Sequence, residues 1–182
     1  KHPAGTVSYI TANHPRYQKF YDSLERLNVP KGTILAHETN YNAARNRNVC
    51  IAGMQGDWIL FIDDDQVFES DSLIQLLDRH VDIVSAVYPR RMPPFTPCAY
   101  SDYDPERKQH RSFTWAELSN ESGLLPISAA GAGFLLVTRK VIDAMEKPYF
   151  RVGLFNGPEW DGTSADMIQE DIGFCLRAVK AG

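Results

Sequence analysis

The sequence predicts an α/β fold, with a mostly parallel, Rossmann-like sheet flanked by helices. Over residues 1–90, short apolar and β-branched runs alternate with segments whose apolar residues recur at helical spacing. That alternation is typical of a parallel, doubly wound sheet. Over residues 91–182, prolines, glycines and shorter apolar runs predict a smaller, mixed half. The length favours a single domain, residues 1–182, made of these two halves.

Residues 1–90 contain four predicted strands and three predicted helices. The strands are short apolar runs at residues 6–11, 33–37, 58–62 and 82–88. The first helix opens at Pro15 and ends before the turn at residues 29–32. The second runs from residue 43 to about residue 54 with Asn42 as its N-cap, and Ser70 or Asp71 caps the third.

The second half begins with a proline-rich loop at residues 89–97, in which Arg90 and Arg91 are interpreted as solvated residues; pairing with phosphate is the alternative. Residues 98–128 are irregular and polar, with short antiparallel strands predicted at 111–115 and 124–128. A strand at 134–138 and a helix at 139–145 follow. A long glycine-rich loop precedes a final helix at about 168–181. We interpret residues 155–163 of this loop as a candidate flap over a binding site.

Composition narrows the class of protein. The chain is 43% apolar and 23% charged, as is typical of a soluble globular protein, and its net charge of −4 does not favour nucleic-acid binding. No apolar run reaches the length of a membrane span, and no signal peptide opens the chain. Cys50, Cys98 and Cys175 are widely spaced, which predicts buried free thiols in a reducing, cytoplasmic compartment. We expect a trimmed start and a missing C-terminal segment.

Three consecutive aspartates, Asp63 to Asp65, follow the most hydrophobic predicted strand, residues 58–62. At ~4 Å and an effective dielectric of ~20, each contact between like charges costs on the order of 4 kcal/mol. Such a cluster becomes favourable where it binds a cation, and ligands of open α/β sheets bind at the carboxyl ends of strands. The pattern indicates metal or nucleotide chemistry; a solvated acidic turn is the alternative.

Asp63 and Asp65 are two residues apart, so strand alternation aims both at one ligand while Asp64 faces away or caps backbone. Mg²⁺ and Mn²⁺ prefer oxygen ligands and are often held by one or two carboxylates together with substrate phosphates and waters. The pair therefore predicts a metal–diphosphate site. An EF-hand is excluded, because Val67 and Phe68 occupy the positions of a ligand and of the obligatory glycine.

Two further polar segments are candidates for the site. Arg45 lies near the start of the second predicted helix, where a guanidinium and free N–H groups can bind phosphate; an exposed polar turn is the alternative. Glu170 and Asp171 start the last helix, where acidic residues are ordinary partners of the helix dipole. A general base for an acceptor hydroxyl is a carboxylate or a histidine, and Asp171 is the best-placed candidate.

Taken in order, these segments resemble glycosyltransferase family 2, whose members are GT-A-fold enzymes that use nucleotide-sugar donors. The resemblance rests on residues 10–13 (ITAN), 42–46 (NAARN), 58–65 (WILFIDDD), 131–134 (GAGF) and 170–177 (EDIGFCLR). It spans nearly the whole chain, with residues 89–121 unmatched. The aspartate motif alone is common, whereas its combination with the arginine run and the Glu-Asp helix is more specific.

The resemblance implies a donor site built from the first half of the chain. Thr11, Ala12 and Asn13 would border the nucleoside, and Arg45 would contact the nucleotide. Among the aspartates, Asp63 would hold the ribose or the metal shell, Asp64 would lie in the same nucleotide site, and Asp65 would ligate Mn²⁺ or Mg²⁺. The donor implied is a nucleoside-diphosphate sugar, a UDP-sugar or a GDP-sugar.

The resemblance also implies an acceptor side. Gly131 and Gly133 would leave room for the donor sugar and the acceptor, and Asp171 would be the catalytic base with Glu170 beside it. Such a base would deprotonate the attacking hydroxyl opposite the leaving diphosphate, with inversion at the anomeric carbon. Many family members place a metal-binding histidine on a strand after this helix, and this chain ends before that position.

Two alternatives to a metal-dependent glycosyltransferase stay open at the level of sequence. Asp63, Asp65 and Val67 also satisfy the D-x-D-x-[TV] pattern of haloacid-dehalogenase-like phosphatases, although that motif normally ends the first strand. A non-catalytic nucleotide-sugar-binding domain is the other. The choice of acceptor is expected to depend on the variable region at 89–128, and the sequence leaves open a hydroxyl-bearing saccharide, lipid-linked, protein or modified-base acceptor.

Overall fold

The computed structural model describes residues 1–11, 17–104, 109–120, 123–151 and 169–181. Predictions for Ala12, Asn13 and the loop at 155–163 lie outside the described residues. The strands are β1 (Thr6–Thr11), β2 (Ile34–Thr39), β3 (Trp58–Asp63), β4 (Ile83–Ser85), β5 (Ala99–Asp104), β6 (Gln109–Ser112), β7 (Ala129–Ala130) and β8 (Phe134–Thr138). The helices are α1 (Gln18–Arg26), α2 (Ala43–Ala52), α3 (Ser72–Leu77), α4 (Trp115–Ser119), α5 (Arg139–Ala144) and α6 (Glu170–Ala181).

The central sheet confirms the predicted α/β class. Its strand order is β2-β1-β3-β8-β4. β1 is parallel to β2 and to β3, whereas β8 is antiparallel to both β3 and β4, so four of the five strands point the same way. The fourth predicted strand is shorter than residues 82–88 and does not adjoin β3, because β8 from the second half enters the sheet between them.

The second half differs from its predicted elements. β5, β6 and β7 form a three-stranded sheet, and β5 was not predicted. The strand predicted at 111–115 ends at Ser112, because Thr114 caps a helix instead: its hydroxyl accepts the Glu117 N–H, and the Glu117 carboxylate accepts the Thr114 N–H. The strand predicted at 124–128 is replaced by β7, which is only two residues long.

Strand β3 forms the centre of the core because both of its faces are covered. Trp58, Leu60 and Ile62 pack into one apolar cluster, and Ile59 and Phe61 pack into the other. All five side chains are at most 2% exposed. A strand buried on both faces has a continuous run of apolar residues, which is why β3 was predicted correctly from the sequence.

An aromatic cluster ties α6 to the back of β3. The Phe150 and Phe174 rings are stacked with centroids 4.4 Å apart, and the Phe61 ring meets Phe150 edge-on at 5.2 Å. Phe174 is fully buried. This packing holds the start of α6 near the end of β3. Helix α6 has 12 residues, and no helix in the described part of the chain is long and apolar enough to cross a membrane.

We expect Phe174→Ala to lower the free energy of unfolding by about 3–5 kcal/mol, because it leaves a cavity beneath β3. Val179→Ala on the same helix is the control: Val179 is 69% exposed, and its loss should cost about 0.5 kcal/mol or less. Chemical denaturation measures both values. Equal losses in the two variants would contradict the packing described here.

Candidate functional site

The acidic end of β3 lies at the edge of the sheet where β1 ends and β8 begins. Asp63 pairs with Ile10 of β1, and its N–H donates to the Gly133 carbonyl at 3.1 Å. The Asp63 carbonyl accepts the Gln66 N–H at 3.2 Å, so the chain turns immediately after the strand. The three aspartates therefore occupy a turn at the carboxyl end of the strand, as predicted.

A buried arginine joins this turn to α6. Arg47 is 3% exposed; its Nη2 lies 2.7 Å from Asp63 Oδ1, and its Nη1 lies 2.6 Å from Glu170 Oε1. The guanidinium carbon lies 5.4 Å from the centre of the Phe150 ring. The Arg47 side chain thus connects Asp63 at the end of β3 with Glu170 at the start of α6. These two residues are 107 positions apart in the sequence.

Electrostatics keep Arg47 charged. Burial by itself lowers the pKa of Arg47, but the charges of Asp63 and Glu170 outweigh burial, so the pKa lies above its ordinary value. A buried charge that loses its partner costs about 3–5 kcal/mol. The fold therefore requires the carboxylates of Asp63 and Glu170, which also belong to the candidate site.

The sequence analysis chose Arg45, and the structure places Arg47 among the carboxylates instead. In α2 the buried face carries Ala44, Arg47, Cys50 and Ile51, which recur at helical spacing. Arg45 lies on the other face, 55% exposed, with Glu38 as an ion-pair partner at 3.9 Å. The signal was present in the sequence, since an arginine on an apolar helix face requires a carboxylate partner. A contact of Arg45 with the nucleotide stays a prediction.

Helix α2 begins as predicted and supports the site through a second contact. The Asn42 side chain caps it by accepting the Arg45 N–H at 2.9 Å. Asn48, the residue after Arg47, donates to the Phe150 carbonyl at 2.7 Å and accepts the Phe150 N–H at 2.9 Å. This pair of bonds fixes the segment that carries the Phe150 ring against Arg47. The sequence analysis assigned Asn48 no role.

Asp65 has an arginine partner of its own. Arg91 Nε and Nη2 lie 2.8 Å and 2.6 Å from Asp65 Oδ2, and Gln66 donates to Asp65 Oδ1 at 3.2 Å. The Asp65 side chain is 18% exposed and that of Arg91 is 65% exposed. Arg91 is thus largely exposed in its loop, as interpreted, and it also forms an ion pair with Asp65. Arg90 instead donates to the Tyr100 hydroxyl at 3.1 Å.

Asp171 lies in a buried, acidic environment. Burial, followed by the charges of Glu170 and Asp63, raises the pKa of Asp171 above its ordinary value, against the opposing effects of Arg47 and of the Ile172 N–H. Its Oδ1 accepts that N–H at 2.8 Å. A carboxylate with a raised pKa binds a proton more tightly once it is ionised, which suits a group that must take a proton from a hydroxyl.

The predicted glycines pack against a tyrosine. The Gly133 N–H donates to the Tyr88 hydroxyl at 2.6 Å, and a Cβ on Gly133 would lie 2.8 Å from the ring carbon that bears this hydroxyl. A Cβ on Gly131 would clash with the same hydroxyl. Tyr88 therefore leaves no room for a Cβ at either position, which explains both glycines. Sequence reasoning missed this contact. Room for donor sugar and acceptor beside them stays a prediction.

The remaining predicted residues are less open to a ligand. Thr11 is 2% exposed, and its hydroxyl lies 2.8 Å from both His37 Nε2 and Thr39 Oγ1 on β2. Asp64 is 8% exposed, whereas its two neighbours in the turn are more open. Their proposed contacts with the nucleoside stay predictions.

The carboxylates of the turn after β3 fit a partial metal site. No group of three or more His, Cys, Asp or Glu side chains able to hold a metal occurs among residues 1–11, 17–104, 109–120, 123–151 and 169–181. Asp63 and Asp65 nevertheless present partly exposed carboxylates at one turn. Mg²⁺ and Mn²⁺ are held by such a pair when phosphates and waters complete the shell. The residues fit an ion bound together with a diphosphate, and do not form an all-protein cage.

Comparison with known proteins identifies the family. Residues 15–146 match the model described as Glycosyl transferase family 2, which covers more than half of the chain. The chain belongs to glycosyl transferase family 2. This assignment confirms the resemblance found in the sequence and sets aside the phosphatase alternative.

Two further similarities agree with the family. Over 62 residues the chain is 34% identical to an uncharacterized glycosyltransferase of Haemophilus influenzae; the match covers 32% of this chain and 21% of that relative, so the chain spans about a fifth of the relative's length. The crystal structure of A197 from STIV superposes with a TM-score of 0.58 at 15% identity, over 96% of this chain and 78% of that one. The latter likeness supports the GT-A-like fold.

We expect Arg47→Met to lower the free energy of unfolding by about 3–5 kcal/mol, because the carboxylates of Asp63 and Glu170 lose their buried partner. Arg45→Met, two positions away on the exposed face of α2, is the matched control and should change stability by about 0.5 kcal/mol or less. Urea titration of both variants tests this. A fully stable Arg47→Met protein would refute the bridging role of Arg47.

Proposed function

We propose that this chain is the catalytic domain of an enzyme that transfers a sugar from a nucleoside-diphosphate sugar, a UDP-sugar or a GDP-sugar, to a hydroxyl-bearing acceptor with inversion. The observation that carries the proposal is the Arg47 bridge. It brings the strand-end carboxylates, suited to the donor, to the helix start that bears Glu170 and Asp171. Donor-side charge and a base thereby share one site at the carboxyl edge of the sheet.

Each group has a defined task in the proposed reaction. Asp171 takes the proton of the attacking hydroxyl while the oxygen bonds to the anomeric carbon and the bond to the diphosphate breaks. Glu170 raises the pKa of Asp171 and helps to hold Arg47. Asp63 and Asp65 would hold Mn²⁺ or Mg²⁺; such an ion neutralises charge on a leaving diphosphate.

The acceptor side is supported by two exposed aromatic rings. The Trp115 indole N–H donates to the Phe95 carbonyl at 2.9 Å, and the two residues are 45% and 51% exposed. Exposed, flat aromatic faces suit the apolar faces of a sugar ring, which favours a saccharide portion in the acceptor. Cys50, Cys98 and Cys175 are free thiols, which supports a reducing location such as the cytoplasm.

The proposal is tested with Asp171→Asn and Asp65→Asn. We expect Asp171→Asn to lower kcat by about 10²–10⁴-fold, the usual contribution of a general base, while binding of nucleoside diphosphate with Mn²⁺ is kept. Asp65→Asn should instead weaken that metal-dependent binding. Thermal shift with UDP or GDP, with and without Mn²⁺, measures binding, and release of nucleoside diphosphate measures turnover.

The outcomes of this test separate the remaining alternatives. Metal-dependent nucleotide binding without turnover on any acceptor would favour a non-catalytic nucleotide-sugar-binding domain. A protein that binds no nucleoside diphosphate would refute the proposed donor class.

The pH profile gives a second test of Asp171. Its pKa is raised in the folded protein, so the acid limb of kcat/KM should lie above the usual range of an aspartate, because activity needs the ionised form. Glu170→Gln removes a like charge and should move that limb to lower pH. An acid limb unchanged in Glu170→Gln would show that another group sets it.

The same pKa shift predicts an effect on stability. A raised folded-state pKa means that ionised Asp171 opposes folding, and this penalty grows as the pH rises through that pKa. Asp171→Asn should therefore melt at a higher temperature than the wild type at pH 8. The difference should shrink as the pH falls towards the ordinary aspartate pKa, which thermal melts across pH can follow. A variant less stable than the wild type at pH 8 would contradict the assigned pKa direction.

A further inference from the structure

Arg91 lies at the tip of a loop with a closed base. Pro89 and Pro97 form an antiparallel bridge, and the Arg90 N–H donates to the Thr96 carbonyl at 2.8 Å. The Phe95 N–H donates to the Met92 carbonyl at 2.9 Å within the tip. The loop is thus a small ordered unit that presents the Arg91 side chain to the acidic turn after β3. This ordering removes part of the entropy cost of holding a long side chain there.

The contact of Arg91 uses the carboxylate oxygen that a cation would need. Two guanidinium nitrogens, Nε and Nη2, converge on Asp65 Oδ2 at 2.8 Å and 2.6 Å. A divalent ion at this oxygen would meet the positive charge of Arg91 within a few ångströms, where like charges repel. Arg91 and an ion on Asp65 Oδ2 are therefore competitors for one position.

The two arginines of the site differ in their freedom to respond. The Arg47 side chain is 4% exposed and is held by carboxylates at both ends of its guanidinium. The Arg91 side chain is 65% exposed and forms an ion pair with Asp65. Exposed ion pairs are weak, so releasing Arg91 costs little. Arg91 can move while Arg47 stays in place.

We propose that Arg91 is a diphosphate-binding residue of the donor site: it rests on Asp65 in the free protein and passes to the phosphate oxygens of the donor when a divalent cation occupies Asp65. The inference rests on the proposed function. It assigns to the proline-rich loop at residues 89–97 a direct part in donor binding.

Charge explains why such a residue is needed. The candidate site already contains the carboxylates of Asp63, Asp65, Glu170 and Asp171, and a diphosphate is itself anionic. Arg47 already forms ion pairs with two of these carboxylates, Asp63 and Glu170, and is not available to the diphosphate. A guanidinium matches phosphate as well as carboxylate, because its N–H groups form a planar fork. Once released from Asp65, Arg91 supplies positive charge to the donor without leaving a bare carboxylate behind.

Arg90 provides a matched control within the same loop. It is adjacent in sequence, carries the same charge, and donates to the Tyr100 hydroxyl at 3.1 Å with its guanidinium carbon 5.5 Å from the centre of that ring. No contact of Arg90 with the aspartates of the turn is found among the residues that the structure describes. A general effect of loop charge would appear equally in both variants, whereas the proposed role belongs to Arg91 alone.

The test compares Arg91→Gln and Arg90→Gln in two binding measurements. Mn²⁺ alone is titrated by electron paramagnetic resonance, and UDP and GDP are titrated by calorimetry at saturating Mn²⁺. We expect Arg91→Gln to bind Mn²⁺ up to about fivefold more tightly, because its competitor is gone. It should bind the nucleoside diphosphate about tenfold or more weakly, because a charged hydrogen-bond donor to phosphate is lost. Arg90→Gln should change neither affinity by more than about twofold.

Opposite signs for the two ligands are the expected result, and a purely structural role cannot produce them. Loss of both affinities, or no change in either, would overturn the assignment of Arg91 while wild-type binding of nucleotide with Mn²⁺ would leave the proposed function standing. Absence of nucleotide binding in the wild type would overturn both. Arg91→Lys keeps the charge but not the fork, and should restore part of the nucleotide affinity. Thermal melts confirm that the variants are folded.

Discussion

The buried charge of Arg47 is the constraint on which the rest of the site depends. A guanidinium this deeply enclosed is tolerated only with carboxylates on it, and it has one from β3 and one from α6. Helix α2, the strand β3 that follows it and the distant helix α6 must therefore assemble around one side chain. The Phe61, Phe150 and Phe174 cluster packs the same elements together from the apolar side. Charge and packing reinforce each other at this junction.

That junction leaves the site with more carboxylates than cations. Arg47 and Arg91 pair with Asp63, Glu170 and Asp65. Burial, followed by the charge of Glu170, raises the pKa of Asp171, and Arg47 opposes this rise. Folding against this repulsion costs stability, as is usual where groups are arranged for chemistry. A cation and an anionic donor bound together would relieve it, so ligand binding and the stability of this edge of the sheet are coupled.

Prediction from sequence succeeded where a local pattern carries the information. The apolar run of β3 ends at the aspartates, Asn42 caps α2, and Glu170 begins α6, all as expected. It failed where partners are distant. β8 enters the sheet between β3 and β4 because of long-range pairing that no local period encodes. Trp115 begins a helix because the Thr114 capping box outweighs a short β-like run.

By itself the sequence determined the element types of residues 1–90, the acidic positions and the family resemblance, because periodicity, caps and motif order are local or ordered along the chain. Only the tertiary structure decided which arginine enters the site, that Arg91 rests on Asp65, and that Tyr88 occupies the space beside Gly131 and Gly133. These are contacts between residues brought together by the sheet. Their energy depends on distance and burial in space, and neither quantity is written in the spacing of residues along a chain.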